Sequence, residues 1–199
     1  ESQLTAAVGG LQASRPPMVG DAIARLGELR RRQGRLDEAA DLFARSETHT
    51  LSLLGRAALA LDREQPAEAA ELADRYLRRF PEPGRVERSV GLELAIRALV
   101  RQGEHERAAD ALNELRGIAA RARTRPILAA VSSSDGTLAA ASGDQDLARR
   151  SFEDALDLLA ASPFEAGRVR LDLAASLDAL GRADQAQREI DAAIANFRE

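Results

Sequence analysis

Cysteine is absent from the 199 residues, which removes disulfides, zinc sites of the usual cysteine type and thiol chemistry together. Lysine is absent as well, so every one of the 28 basic residues is Arg. A phosphate-binding loop of the G-x-x-x-x-G-K-[ST] type and a Schiff-base lysine are therefore both excluded. The Arg-for-Lys bias, together with abundant Ala, is what a GC-rich coding sequence produces and carries no function of its own. Tryptophan is missing and aromatic residues make up only 3% of the chain. The interior has to be built from Ala, Leu, Val and Ile, and helices rich in Ala approach one another closely. No stretch reaches about 18 apolar residues without a charge, and the N-terminus lacks a basic-then-apolar export signal. The expectation is a cytoplasmic protein with no membrane partner.

What is present is globular in character: 45% of residues are hydrophobic and 30% charged. The net charge of −4 and pI near 5.4 disfavour direct contact with a nucleic-acid backbone. The first residue is Glu1 rather than Met, and the chain reads as a fragment of a longer protein.

The segments RQGRLDEAADLF (32–43) and RQGEHERAADAL (101–112) share the same turn and the same alanine-centred helix start. Three further segments follow the pattern: DREQPAEAAELA from Asp62, ASGDQDLARRSF from Ala141 and ALGRADQAQREI from Ala179. The shared Ala falls at 39, 69, 108, 148 and 186, in steps of 30, 39, 40 and 38. Gly34, Gly103, Gly143 and Gly181 each precede that Ala by five residues. Each follows a run with helical periodicity, where a residue without a side chain occupies a left-handed cap cheaply. Each repeat is therefore read as helix, tight turn, helix. The Ala marks the crossing where a larger side chain would force the pair apart, at a typical cost of about 1–3 kcal/mol.

Helix starts agree with these stops. Ser162, Pro163 and Glu165 spell a capping box that opens a helix expected to run to Leu180. The pattern predicts eleven helices: a leading helix within residues 1–14, then five pairs at 17–47, 48–82, 85–122, 125–161 and 163–199. Helix should cover about four fifths of the chain, against the usual third. An all-α superhelical solenoid forming one domain over 1–199 is the expected architecture, because each pair buries its apolar face only against its neighbours.

These residues resemble tetratricopeptide repeats. In the first repeat Leu26, Gly27, Gly34, Leu36, Ala39, Phe43 and Ser46 match the family's pattern; in the second, Ala57, Ala69 and Pro81; in the fifth, Leu173, Ala174, Leu177, Gly181, Ala186 and Ala193. Repeats three and four depart from it, with Ile96 where a small residue is expected and with His105 and Gln145 replacing the apolar residue after the turn. Their spacing also exceeds the family's repeat of about 34 residues. The Arg/Ala-rich texture of the closing run is similar to the helical-repeat arm of large LuxR-type, maltose-regulator-like transcriptional regulators from actinobacteria. That resemblance implies an ATPase module before the arm and a helix-turn-helix after it.

No constellation points to an enzyme or a cofactor. His49 and His105, the only histidines, lie two repeats apart and read as residues at helix ends. Arg30, Arg31 and Arg32 are flanked by Glu28, Asp37 and Glu38 and read as a solvated face. The run SSSDGT (132–137) consists of poor helix formers and is expected to weaken its helix locally.

The repeat resemblance implies a partner-binding groove along the first helix of each pair. Its positions fall on Glu28, Arg31 and Arg32 in repeat one and on Leu54 and Leu61 in repeat two. Repeat three supplies Glu93, Arg97 and Arg101, repeat four Ser133 and Thr137, and repeat five Arg168 and Leu171. Arg set among apolar residues suits an extended peptide carrying a carboxylate. The expected function is a non-enzymatic interaction and sensing scaffold within a larger regulator, contacting a protein, a peptide or other domains of the same chain. A free-standing adaptor that binds a peptide segment is the alternative, and association into a homodimer remains open.

Overall fold

The structure, a computed structural model, describes residues 16–198. The expected leading helix lies outside the described residues. Ten helices follow in order: α1 (Pro16–Arg32), α2 (Leu36–Ala44), α3 (Thr50–Asp62), α4 (Pro66–Leu77), α5 (Arg88–Arg101), α6 (His105–Ala122), α7 (Arg125–Ala141), α8 (Gln145–Leu158), α9 (Pro163–Ala179) and α10 (Ala183–Arg198). They are the five expected pairs, about 80% of the described residues are helical, and no strand occurs among them. The chain divides at Pro81 and Glu82 into two compact units, the first holding α1 to α4 and the second α5 to α10.

The turn within each pair is built the same way five times. Gly34, Gly103, Gly143 and Gly181 have φ of +73°, +76°, +84° and +72°. The residue after each turn glycine returns its N–H to a carbonyl five positions back: Arg35 to Arg30, Glu104 to Leu99, Asp144 to Ala139 and Arg182 to Leu177, all at 2.9–3.0 Å. This is the left-handed closure that satisfies the orphaned carbonyls of a helix end. Repeat two lacks the glycine, yet Glu64 adopts φ +58° and Gln65 donates to Ala60 at 2.8 Å. Packing on both sides of the turn thus overrides the preference of a side-chain-bearing residue for negative φ.

The crossing alanines behave as a set. Ala39, Ala69, Ala108 and Ala148 are fully buried and Ala186 is 5% exposed. Large side chains are then accommodated by opposing glycines. The Phe43 ring lies between α1 and α3, where a Cβ added at Gly27 would come within 2.7 Å of it and one at Gly55 within 2.3 Å. Phe152 of α8 sits in the same way against Gly136 of α7, where an added Cβ would come within 2.6 Å of the ring. The glycine inside SSSDGT therefore serves ring packing.

That run does not break its helix. α7 continues through it, Thr137 Oγ1 donates to the Ser133 carbonyl at 2.9 Å, and Arg116 of α6 reaches Asp135 at 2.5 Å. Burial of Ser133, Ser134, Gly136 and Ala139 outweighs the weak propensities. Another expectation is corrected at the start of α9, which spans Pro163–Ala179: Ser162 makes no side-chain capping bond. Glu165 instead accepts from Arg168 at 3.2 Å, so its charge is engaged within α9. The two histidines do sit at helix ends. His49 caps α3 by accepting from the Leu51 N–H, and His105 is the first residue of α6.

Candidate binding site on the first-helix face of the second unit

In the second unit the first helices α5 and α9 both pack against α7. Packed helix axes lie about 8–10 Å apart, so two helices flanking a third are normally too far apart for their side chains to meet. Arg168 of α9 nevertheless places Nη2 2.6 Å from Glu93 Oε1 of α5. The first helices α5 and α9 therefore come close enough for a side-chain bridge although both pack against α7, the helix that carries Ser133 and Thr137. Ser133 itself is buried and Thr137 half-buried.

Six charged groups gather around this bridge: Glu93, Arg97 and Arg101 on α5, and Glu165, Arg168 and Asp172 on α9. Burial works against the Arg168 cation, yet Glu93, Glu165 and Asp172 hold its pKa above the ordinary value. Its Nη1 atom is buried without a hydrogen-bond partner among the described residues. Arg97 is in the opposite position. It is half-buried and, among the described residues, forms neither an ion pair nor a hydrogen bond. Burial first, and then repulsion from Arg168, push its pKa down to about 10. Asp172 is also half-buried and likewise lacks an ion pair or hydrogen bond among the described residues. Burial raises its pKa in spite of Arg168, Arg97 and Arg101. Leu171, 43% exposed, supplies an apolar neighbour on the same helix.

The sequence-derived positions thus divide by unit. Glu93, Arg97, Arg101 and Arg168 are brought together, and Leu171 is exposed on the helix that carries Arg168. In the first unit Arg31 donates to Glu28 through Nε and Nη2, both at 2.9 Å, and to Asp62 at 2.5 Å, while Arg32 reaches Glu28 at 2.7 Å. Burial opposes these charges, but the pairing raises the Arg31 pKa and lowers that of Glu28. Arg31 is therefore a paired strut between α1 and α3, and Arg30 is only 9% exposed. Both depart from the expected solvated face because the acidic neighbours pull the guanidinium groups inward. Leu54 is half-buried, and Leu61, 2% exposed, is core.

Sequence reasoning missed Glu165 and Asp172. A signal for each was present, since they lie three residues before and four after Arg168, on its own helical face. Among the described residues no group of His, Asp and Glu is arranged to hold a metal, and no helix is long and apolar enough to cross a membrane.

No family model and no curated protein matches the sequence. Solved structures do match in fold. Rap protein, described in complex with Competence and Sporulation Factor, superposes with a TM-score of 0.76 at 15% identity, over 98% of this chain and 59% of its own. TTC0263, a thermophilic TPR protein of Thermus thermophilus, gives 0.64 at 26% identity, over 89% and 91%. BtubC from P. vanneervenii gives 0.64 at 18%, over 98% and 88%. The chain has the all-α, helix-turn-helix repeat fold of tetratricopeptide-like proteins.

Proposed function

We propose that the chain is a non-enzymatic protein-interaction scaffold whose second unit holds an extended segment of a partner polypeptide along the α5, α7 and α9 face. The observation that carries this reading is Arg97. A half-buried guanidinium without a partner is costly to the folded protein alone. The cost is offset when a ligand supplies the missing acceptor. Leu171, exposed one position before Asp172 on α9, offers the apolar contact that accompanies polar anchors in peptide grooves. Rap, of similar fold, is described in complex with Competence and Sporulation Factor, which supports a partner-binding role for a fold of this kind.

A pool of short peptides titrated against the wild-type chain and an Arg97→Ala/Arg101→Ala variant tests the site. Peptides that bind the wild type are expected to lose about tenfold or more in affinity in the variant, as buried Arg anchors do. Equal binding by both contradicts the assignment. The regulator arm suggested by the closing run from Ser162 to Glu199 is one setting in which such a scaffold would operate. A Walker motif encoded upstream and a helix-turn-helix downstream would support that setting over a free-standing adaptor.

A further inference from the structure

Arg97 and Asp172 project from α5 and α9, feel one another's charge, and remain outside ion-pair distance. Neither has a hydrogen-bonding partner among the described residues, although both sit half-buried beside the Arg168 to Glu93 bridge. In a folded protein, opposite charges so placed normally close on each other or are each satisfied separately. Here they stand apart, so that the gap between them has a strong donor on the α5 side and a strong acceptor on the α9 side.

The charge balance of the cluster narrows what can enter. Arg97, Arg101 and Arg168 are opposed by Glu93, Glu165 and Asp172, so the six charges cancel. A carboxylate entering the gap would gain Arg97 but would meet Asp172 and Glu93, and would have to shed its own hydration. An ammonium would gain Asp172 and meet Arg97 and Arg168. A neutral group with a carbonyl and an N–H meets neither penalty, and it satisfies both walls at once.

We propose that the gap between Arg97 and Asp172 takes a neutral amide of the bound segment, either a main-chain peptide group or an Asn or Gln side chain. The amide carbonyl accepts from the Arg97 guanidinium and its N–H donates to the Asp172 carboxylate. Burial already disfavours the charged state of both residues, so each gains from the hydrogen bond the amide provides. The exposed Leu171, adjacent in sequence to Asp172, receives the apolar side chain that flanks the amide. This assignment rests on reading the face as a polypeptide-binding surface and specifies which part of the polypeptide is read.

A matched pair of probes tests it: N-acetyl-leucinamide, which is neutral, and N-acetyl-leucine, which carries a carboxylate. Each is titrated at pH 7 into the full chain labelled with nitrogen-15, following the Arg97 Nε–H resonance, which is assigned by its loss in Arg97→Gln. The amide is expected to bind at least about fivefold more tightly than the acid, since an unpaired buried charge is costly. Asp172→Asn gives the cluster a net positive charge, and it is expected to reverse the preference while leaving the fold unchanged by circular dichroism. Tighter binding of the acid to wild type, an unaltered preference in Asp172→Asn, or no movement of the Arg97 resonance with either probe overturns the assignment. If the acid wins while peptides from the pool still depend on Arg97, only the amide assignment falls. If no peptide binds, the reading beneath it falls too.

Discussion

Replacing Phe43 with alanine is expected to destabilise the first unit by about 3–5 kcal/mol, the usual cost of emptying a fully buried aromatic site. The Phe43 side chain is completely buried between Gly27 of α1 and Gly55 of α3. The complementary change is Gly55→Ala. A Cβ there would lie 2.3 Å from two ring atoms of Phe43, and Gly27 of α1 already closes on the same side of the side chain's tip, since a Cβ there would lie 2.7 Å from one of those atoms. Overpacking of about 1–3 kcal/mol is expected to outweigh the roughly 1 kcal/mol that alanine gains over glycine within a helix. Combining Gly55→Ala with Phe43→Leu should recover most of that loss, because the smaller side chain vacates the ring edge. Hydrogen exchange in α1 to α4 reads each effect in the unit concerned, and strictly additive effects in the double variant would contradict the clamp.

The second large effect separates two arginines of one cluster. Arg168→Leu removes the ion-pair partner of Glu93 and leaves its carboxylate half-buried. Breaking a buried pair typically costs about 3–5 kcal/mol. Here Arg168 and Glu93 retain 18% and 21% of their side-chain exposure, so a loss of about 2–3 kcal/mol is expected once that screening is allowed for. Arg97→Met should act in the opposite direction. It keeps the apolar stem and removes a charge that burial and Arg168 both disfavour, for an expected gain of about 1 kcal/mol. Urea unfolding followed by circular dichroism distinguishes the two. A destabilised Arg97→Met would show that Arg97 is a structural ion-pair member and not a group held ready for a ligand.

Such opposition between stability and binding also explains which parts of the molecule could be read from sequence. The five pairs were legible because a left-handed turn residue and a crossing alanine leave a local signature, repeated at Gly34, Gly103, Gly143 and Gly181 and at the five alanines. Glu64 escaped the glycine rule because its turn conformation is imposed by the packing on either side, which composition does not record. Local signals also misled at Ser162 to Glu165, where the letters of a capping box were present but Glu165 serves Arg168. The candidate binding positions were legible only as a list of faces. Arg31 and Arg97 look alike in the sequence. What separates them is whether an acidic neighbour from another helix reaches them, as Asp62 does for Arg31 and as no carboxylate among the described residues does at ion-pair distance for Arg97. Asp172 was overlooked for the reverse reason, since a single carboxylate on a charged helix has nothing to mark it until α5 is placed opposite.

The most direct test is cross-saturation mapping of the full chain bound to a peptide recovered from the pool. Saturation transferred to the Arg97 side chain, the Leu171 methyl groups and the α9 amides around Asp172 is the predicted result. Transfer confined to the second helices α6, α8 and α10, with Arg97 and Leu171 untouched, would contradict it.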